Sequence, residues 1–146
     1  MGHDVTGQYA SWNYFASLPG AANDKFKAAW AAYPGASGLP DDPMEAAYDS
    51  LYLYKEMVEK AGSFDVDKIN AVSDGITFDA PEGKVTIDGE NHHIYKVGNI
   101  GQIQSDNNFK IVWSSNDPIK PDPYLEGYSW FPAATRDALV AAANAS

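Results

Sequence analysis

The residues best placed for chemistry are the acidic side chains in the run DDPME at residues 41–45. Neighbouring carboxylates can act as general acid and general base when their environments separate their pKa values. The same run is also typical of a helix start. In that arrangement Asp42 caps the helix, Pro43 takes the first helical position and Glu45 reaches back to the cap. Capping explains two of these acids by a purely local mechanism, so we favour it over catalysis.

His92 and His93 are candidate metal ligands, because they follow Asp88 and Glu90. On a strand, adjacent histidines point to opposite faces, so the pair would not bind one ion together. The serines lack a GxSxG elbow, and the glycines form no GxxxxGK[ST] phosphate loop. The chain has no Cys, which excludes thiol catalysis and Cys-ligated zinc. We therefore predict no catalytic residue, no metal site and no cofactor, and we expect the protein not to be an enzyme.

The aromatic run GQYASWNYF at residues 7–15 offers a binding surface rather than a reactive group. In a strand, Trp12 and Tyr14 would face one side, and Tyr9 and Phe15 the other. Trp and Tyr combine an apolar ring with a polar group, which suits the wall of a ligand pocket. Packing in a core explains the same residues, and for any single one of them we favour it over ligand binding.

The composition fits one globular domain of 146 residues, 45% of them hydrophobic. The formal net charge of −10 repels phosphate backbones, so we expect neither nucleic acid nor an anionic membrane as a partner. No apolar run approaches the roughly 20 residues that span a bilayer. The first ten residues contain no apolar stretch of the kind found in a secretory leader.

Hydrophobic periodicity predicts the elements that position these residues. We expect one strand within 7–15, followed by three helices over 22–33, from the DDPME run to Gly62, and from Asp65 to Gly75. The pattern then alternates as in antiparallel strands, over 84–88, over 94–104 and from Phe109 onward, and the Ala-rich end at 135–145 predicts a short helix. Along the long helix we expect one buried apolar face, formed by Met44, Ala47, Tyr48, Leu51, Tyr54, Val58 and Ala61.

Five motifs, taken together, resemble one known family. They are GQYASWNYF, DDPMEAAYDSLYLYKEMVEKAGSFDVD, TFDAPEGKVTIDGENHHIYK, IGQIQSDNNFKIVWSS and PIKPDPY. In this order they resemble the C-terminal part of the urea and short-chain amide substrate-binding proteins of ABC transporters. These proteins are periplasmic binding proteins of the branched-chain amino-acid-binding type. The resemblance runs from about Gly7 to Tyr128.

The resemblance implies an α/β fold, the C-terminal portion of a type I periplasmic binding protein with two lobes. Residues 1–75 would form part of the N-terminal lobe, residues 76–128 the hinge recrossing and the strands of the C-terminal lobe, and residues 129–146 a tail with a short helix. The intact protein would be periplasmic or otherwise extracytoplasmic, with its leader in the missing N-terminal portion. It would deliver its ligand to the membrane permease of an ABC transporter.

The implied function is binding of a small neutral solute, urea or a short-chain amide, in a cleft that this fragment does not complete. We expect the fragment not to bind tightly alone. The residues that we expect to face the cleft of the intact protein are Trp12, Tyr14, Asp42, Met44, Glu45 and Tyr48. Two alternatives stay open: a cytoplasmic amide-sensing regulatory protein of the same fold, and a stand-alone interaction module derived from it.

The incomplete fold also predicts self-association. Some aromatic and apolar faces would have evolved to pack against absent elements, and exposed apolar patches of this kind drive association. The residues concerned are Trp12, Tyr14, Trp30, Tyr48, Leu51 and Tyr52.

Overall fold

A computed structural model describes residues 4–125 and 128–143. The elements follow in the order β1 (Tyr9–Trp12), α1 (Ala21–Ala32), α2 (Asp42–Ala61), α3 (Val66–Asn70), β2 (Thr77–Ala80), β3 (Gly83–Ile87), β4 (Ile94–Tyr95), β5 (Asn99–Ile103), β6 (Phe109–Ser114) and α4 (Ala133–Ala143). The predicted order of one strand, three helices and antiparallel strands is confirmed. The last residues of the predicted terminal helix, 144 and 145, lie outside the described residues. Within the described part of the chain, no helix is both long and apolar enough to cross a membrane.

The strands form two antiparallel three-stranded sheets, in the orders β1-β5-β6 and β2-β3-β4. The single strand that the sequence predicts over 94–104 is in fact two, because β4 belongs to one sheet and β5 to the other. Strand β2 was not predicted. It pairs with β3 through a tight hairpin in which Ala80 lies opposite Gly83.

Helix α2 begins one residue earlier than the capping pattern predicts. Asp41 is the N-cap, and its side chain accepts a hydrogen bond from the Met44 N–H at 3.1 Å. The prediction that Asp42 caps the helix is therefore wrong. The expectation for Glu45 is wrong as well, because its Oε1 accepts from the backbone N–H of Glu82 at 3.1 Å instead of reaching back to the cap. Either aspartate satisfies the capping pattern, and tertiary contacts of Asp42 decide between them.

The buried face of α2 also differs from the predicted one. The side chains that point inward are Glu45, Asp49 and Leu53, spaced four residues apart. On the predicted apolar face, Leu51 is 70% exposed and Met44 is 40% exposed. The inward face packs on the β2–β3 hairpin in a core made of Leu53, Ile76, Ala80, Val85 and Ile87.

A second core of aromatic rings lies against the β1-β5-β6 sheet. The ring of Phe15 lies 4.8 Å from that of Phe109, and both press on Gly101. A Cβ atom at Gly101 would lie 2.8 Å from the Phe15 ring, so only glycine fits there. Strand β5 therefore approaches the aromatic rings closely at this glycine. The β5–β6 register also shifts at this point, between Ile100 and Gly101.

Candidate functional site

One carboxylate joins the start of α2 to the segment that leaves β1. Asp42 Oδ1 accepts the backbone N–H groups of Asn13 at 2.9 Å and of Tyr14 at 2.7 Å. The Asn13 side chain donates to the Val97 carbonyl at 2.8 Å, and the Asn99 side chain donates to the Asn13 carbonyl at 2.7 Å. We call Asn13, Asp42, Val97 and Asn99 the junction, because they connect the two segments that run between the sheets.

Tyr14 lies beside the junction and is fully buried. Its hydroxyl donates to Asn23 Oδ1 at 2.8 Å, and the Asn23 amide in turn donates to the carbonyls of Ala16 and Leu18. Burial, with the nearby charge of Glu45, raises the pKa of Tyr14 well above its usual value. Tyr14 therefore remains a neutral hydrogen-bond donor that holds the start of α1 in place.

An open pocket of about 340 Å³ lies on the other side of this segment. Its floor is aromatic: the Trp12 ring is 5.7 Å from the Phe15 ring and 6.1 Å from the Phe109 ring. Its polar rim comes from two loops, with Asp41 from the loop before α2 and Asp106, Asn107 and Asn108 from the β5–β6 turn. We call this the aromatic pocket. Its floor offers stacking surfaces, and its rim offers mainly hydrogen-bond acceptors and amides.

The structure does not bring all six predicted site residues to one place. Trp12 and Tyr14 line the aromatic pocket, with Trp12 38% exposed. Asp42 is occupied by the junction, and the Tyr48 ring packs 4.9 Å from Phe26. Met44 is exposed on α2, while its neighbour Glu45 is buried. Their roles in ligand binding stay predictions.

Sequence reasoning missed the other residues of the pocket. The turn at 105–108 is evident from its composition, but its position beside Trp12 depends on the pairing of β1 with β5. Nothing local in the sequence specifies that long-range pairing. Asp41 was considered as part of the helix start and as a carboxylate for acid–base chemistry, but not as part of a binding pocket.

A buried acidic cluster lies behind the junction. It contains Glu45 and Asp49 on α2 and Glu82 in the β2–β3 turn, with carboxylate oxygens within 4.8 Å of one another. The Lys96 ammonium lies 2.7 Å from Glu82 Oε1 and 3.9 Å from Glu45 Oε2. We call these four residues the carboxylate cluster. Sequence reasoning considered only Glu45. Asp49 lies one turn further along the same helix, whereas Glu82 and Lys96 are distant in the chain.

Burial raises the pKa of each of the three carboxyl groups, since it disfavours their charged forms. For Glu82 the pKa rises to about 7, with the Glu45 charge adding to the effect of burial and Lys96 opposing it. Burial alone would lower the pKa of Lys96, but its ion pairs with Glu82 and Glu45 leave that pKa above the usual value. Lys96 is therefore charged and supplies the positive charge of the cluster.

Three carboxylates at this spacing also suit a cation, but Lys96 already occupies the position of a counter-ion. The cluster does not form part of the aromatic pocket, so no substrate in that pocket would reach it. His92 and His93 are both exposed and lie in a turn, not on the strand assumed for them. The backbone of His92 has a φ of 60°, as befits a turn.

Comparisons with known proteins agree with this architecture. A solute-binding protein of an ABC transporter from Rhodopseudomonas palustris BisB5, solved with 3,4-dihydroxybenzoic acid, superposes with a TM-score of 0.73 at 28% identity. That match covers 84% of this chain and 34% of the other. A second such protein from R. palustris, solved with 4-hydroxybenzoate, gives a TM-score of 0.69 at 25% identity, over 85% of this chain and 34% of the other.

More distant matches agree in fold. A leucine-binding protein from Thermotoga maritima MSB8 gives a TM-score of 0.64 at 22% identity, over 77% of this chain and 32% of the other. The chain thus spans about a third of the length of these solved structures. A curated protein named limonene hydroxylase, from Geobacillus stearothermophilus, is 32% identical over 121 residues, which are 83% of this chain and 22% of that protein.

The family comparison covers more of the chain than any of these. The model of the periplasmic binding protein domain matches residues 1–129, which include both sheets and the first three helices. The solved structures share the α/β fold of type I periplasmic binding proteins. The chain therefore belongs to the periplasmic binding protein family.

Proposed function

We propose that this chain is the C-terminal third of a solute-binding protein that serves an ABC importer. The observation that carries the proposal is the family match over residues 1–129, together with two ABC-transporter solute-binding proteins that are similar at 25–28% identity. Such proteins close two lobes around a ligand. The junction fits the hinge of such a device, because it joins segments that run between the two sheets.

The solute that we propose is small, neutral and rich in N–H groups: urea or a short-chain amide. The aromatic pocket supports this choice, because the carboxylates of Asp41 and Asp106 at its rim suit N–H donors. Those carboxylates would repel an anion such as the benzoates that the R. palustris proteins hold. Trp12 and the two phenylalanines of the floor would stack on a flat amide group.

The other features of the intact protein follow from the same proposal. It would be extracytoplasmic and would dock on a membrane permease. Residues 1–75 would belong to its N-terminal lobe and residues 76–128 to the hinge recrossing and the C-terminal lobe, with residues 129–146 as a tail. We propose no enzymatic role for it.

Calorimetric titration of the full gene product with urea, acetamide and benzoate tests the proposal. We expect micromolar binding of urea or acetamide, and binding weakened at least tenfold in Trp12→Ala. Tyr33→Ala, which removes an exposed aromatic ring outside the pocket, is the matched control and should bind normally.

If the full gene product bound benzoate but neither urea nor acetamide, the proposed ligand would be wrong. The proposed role as a solute-binding protein would still hold. Micromolar binding of urea by the 146-residue chain by itself would contradict the proposal that the cleft needs further residues.

A further inference from the structure

Two acidic side chains share the buried face of α2. Glu45 and Asp49 are one helical turn apart, and they are 0% and 1% exposed. Neither oxygen of Asp49 has a hydrogen-bond partner among the described residues, and Glu45 Oε2 also lacks one. A carboxylate in this environment is strongly unfavourable unless a donor or a counter-ion reaches it.

The counter-ion of the carboxylate cluster does not satisfy Asp49. Lys96 lies 2.7 Å from Glu82 and 3.9 Å from Glu45, and no ion pair joins it to Asp49 within the described part of the chain. Three carboxylates and one ammonium would leave two uncompensated negative charges in a sealed space. A proton placed between Glu45 and Asp49 removes one of these charges and supplies the missing donor.

We propose that Glu45 and Asp49 share one proton at neutral pH, and that this proton holds α2 against the β2–β3 hairpin. The pair behaves like two carboxylates in one site, where repulsion prevents both from ionising together. Loss of the proton at higher pH would place two like charges one turn apart in the core.

The groups around the pair favour the protonated form. Asp42 on the same helix and Glu82 in the β2–β3 turn add negative charge, and Lys96 is the only cation of the carboxylate cluster. Tyr14, from the segment after β1, and Tyr48, on α2, are neutral, since burial raises the pKa of both hydroxyls, that of Tyr48 to about 12. Burial also raises the pKa of both Glu45 and Asp49.

Lys96 links the carboxylate cluster to the junction through the backbone. Lys96 precedes Val97, whose carbonyl accepts from the Asn13 side chain. When the pair loses its proton, Lys96 would be drawn from Glu82 toward Asp49, and the segment that joins the two sheets would move with it. The shared proton is thus a pH-sensitive device next to the hinge that we propose.

Carboxyl ¹³C NMR of the 146-residue chain over pH 3–9 tests the shared proton directly. We expect the Glu45 and Asp49 resonances to titrate together, at least two pH units above the usual range of carboxyl groups. Titration of both residues near pH 4 would overturn the proposal.

Unfolding by urea over the same pH range supplies a second test. Through this pair the folded state would bind one more proton than the unfolded state between about pH 5 and 7, in addition to any proton bound at Glu82. The shared proton alone would therefore make the folding equilibrium constant fall by up to tenfold per pH unit. In Asp49→Asn the side chain keeps nearly the same volume and always carries an N–H donor. The folding equilibrium constant of this variant should therefore fall less steeply with pH than that of the wild type, by up to tenfold per pH unit. Asp79→Asn removes the same charge at a side chain that is 85% exposed, and it should keep the wild-type slope.

Equal slopes in wild type and Asp49→Asn would overturn the proposal. Thermal unfolding in the presence of CaCl₂ or MgCl₂ tests whether a divalent cation, and not a proton, lies between Glu45 and Asp49. A midpoint that rises with either salt and falls with a chelator would show that a cation takes the place of the proton, and would also overturn it. If Asp49→Asn fails to fold, the NMR titration of the wild-type chain decides.

Discussion

The carboxylate of Asp42 lies 2.7 Å from the backbone nitrogen of Tyr14, 28 residues earlier in the chain. The same oxygen also accepts the N–H of Asn13, so one side chain satisfies two backbone donors of the bend that follows β1. Because Asp42 is the first residue of α2, this contact fixes where the long helix starts relative to β1. The junction therefore depends on a residue whose local pattern predicted a simple cap.

The first prediction compares the two adjacent aspartates. Asp42→Ala leaves two partly buried N–H groups without their acceptor, so we expect it to lower the free energy of unfolding by about 3 kcal/mol. Asp41→Ala removes only the helix cap and should cost about 1 kcal/mol. Urea unfolding followed by circular dichroism measures both values. If Asp41→Ala proves the more costly of the two, the assignment of the cap is wrong.

The second prediction concerns Gly101. In Gly101→Ala the new Cβ would meet the Phe15 ring at 2.8 Å and Phe109 at 3.0 Å, so we expect a loss of about 1–3 kcal/mol. Gly98→Ala is the matched control, because its Cβ would lie 3.4 Å from Ile119 and clash with nothing. Thermal and urea unfolding of both variants test this difference. Similar losses in the two would show that the Phe15 ring moves aside freely.

The third prediction concerns Lys96 and pH. Lys96→Met leaves Glu82 and Glu45 buried without a counter-ion, and we expect a loss of about 3–5 kcal/mol near pH 7.5. The pKa of Glu82 in the folded chain, about 7, lies above its usual value, so stability is full at low pH and falls as the pH rises through 7. Without Lys96 that pKa rises further. The unfolding free energy lost in Lys96→Met should therefore become steadily smaller as the pH falls to 4.5.

Lys84→Met provides the control for this series. Lys84 is 67% exposed and lies 4.0 Å from Asp79, so its removal should change stability little at any pH. A loss in Lys96→Met that does not vary with pH would mean that its aliphatic stem, and not its charge, stabilises the fold.

The fourth prediction concerns the exposed face of α2. Leu51 is 70% exposed, in a group of exposed apolar side chains that includes Tyr52 and Tyr54. We expect the chain to self-associate, and Leu51→Lys to shift it toward monomer, because a charge in the patch opposes its burial. Sedimentation velocity at several concentrations tests this, with Ala28→Lys, at an exposed position of α1, as the control for added charge. Wild-type chain that remains monomeric at high concentration would contradict the prediction.

The sequence predicted the helices better than their contacts. The start of α1 and the end of α2 at Gly62, where φ is 59°, follow from local rules of periodicity and capping. The inward face of α2 could not be predicted in this way, because apolar residues outnumber acidic ones along the helix. On this face Glu45 and Asp49 are buried beside Lys96 and Glu82, which come from distant parts of the chain.

The aromatic and apolar residues that were expected to be exposed are exposed only in part. Trp12, Leu51 and Tyr52 are exposed, which agrees with the expectation of missing partners. Tyr14 is fully buried by α1, so the prediction for it is wrong. Its hydroxyl finds Asn23 only nine residues away, a contact that the alternation of a strand does not predict.

The pairing of β1 with β5 has a consequence for how the chain acquires its shape during synthesis. Tyr9 and Gln102 are opposite each other in the register, and they are 93 residues apart. At about 5–20 residues per second, a ribosome would take roughly 5–20 s to supply the partner of the first strand. During that interval β1 has an open edge, while α1 and α2 emerge before its strand partner does. A chaperone that shields aromatic β1 as it emerges should therefore increase the yield of correctly folded chain.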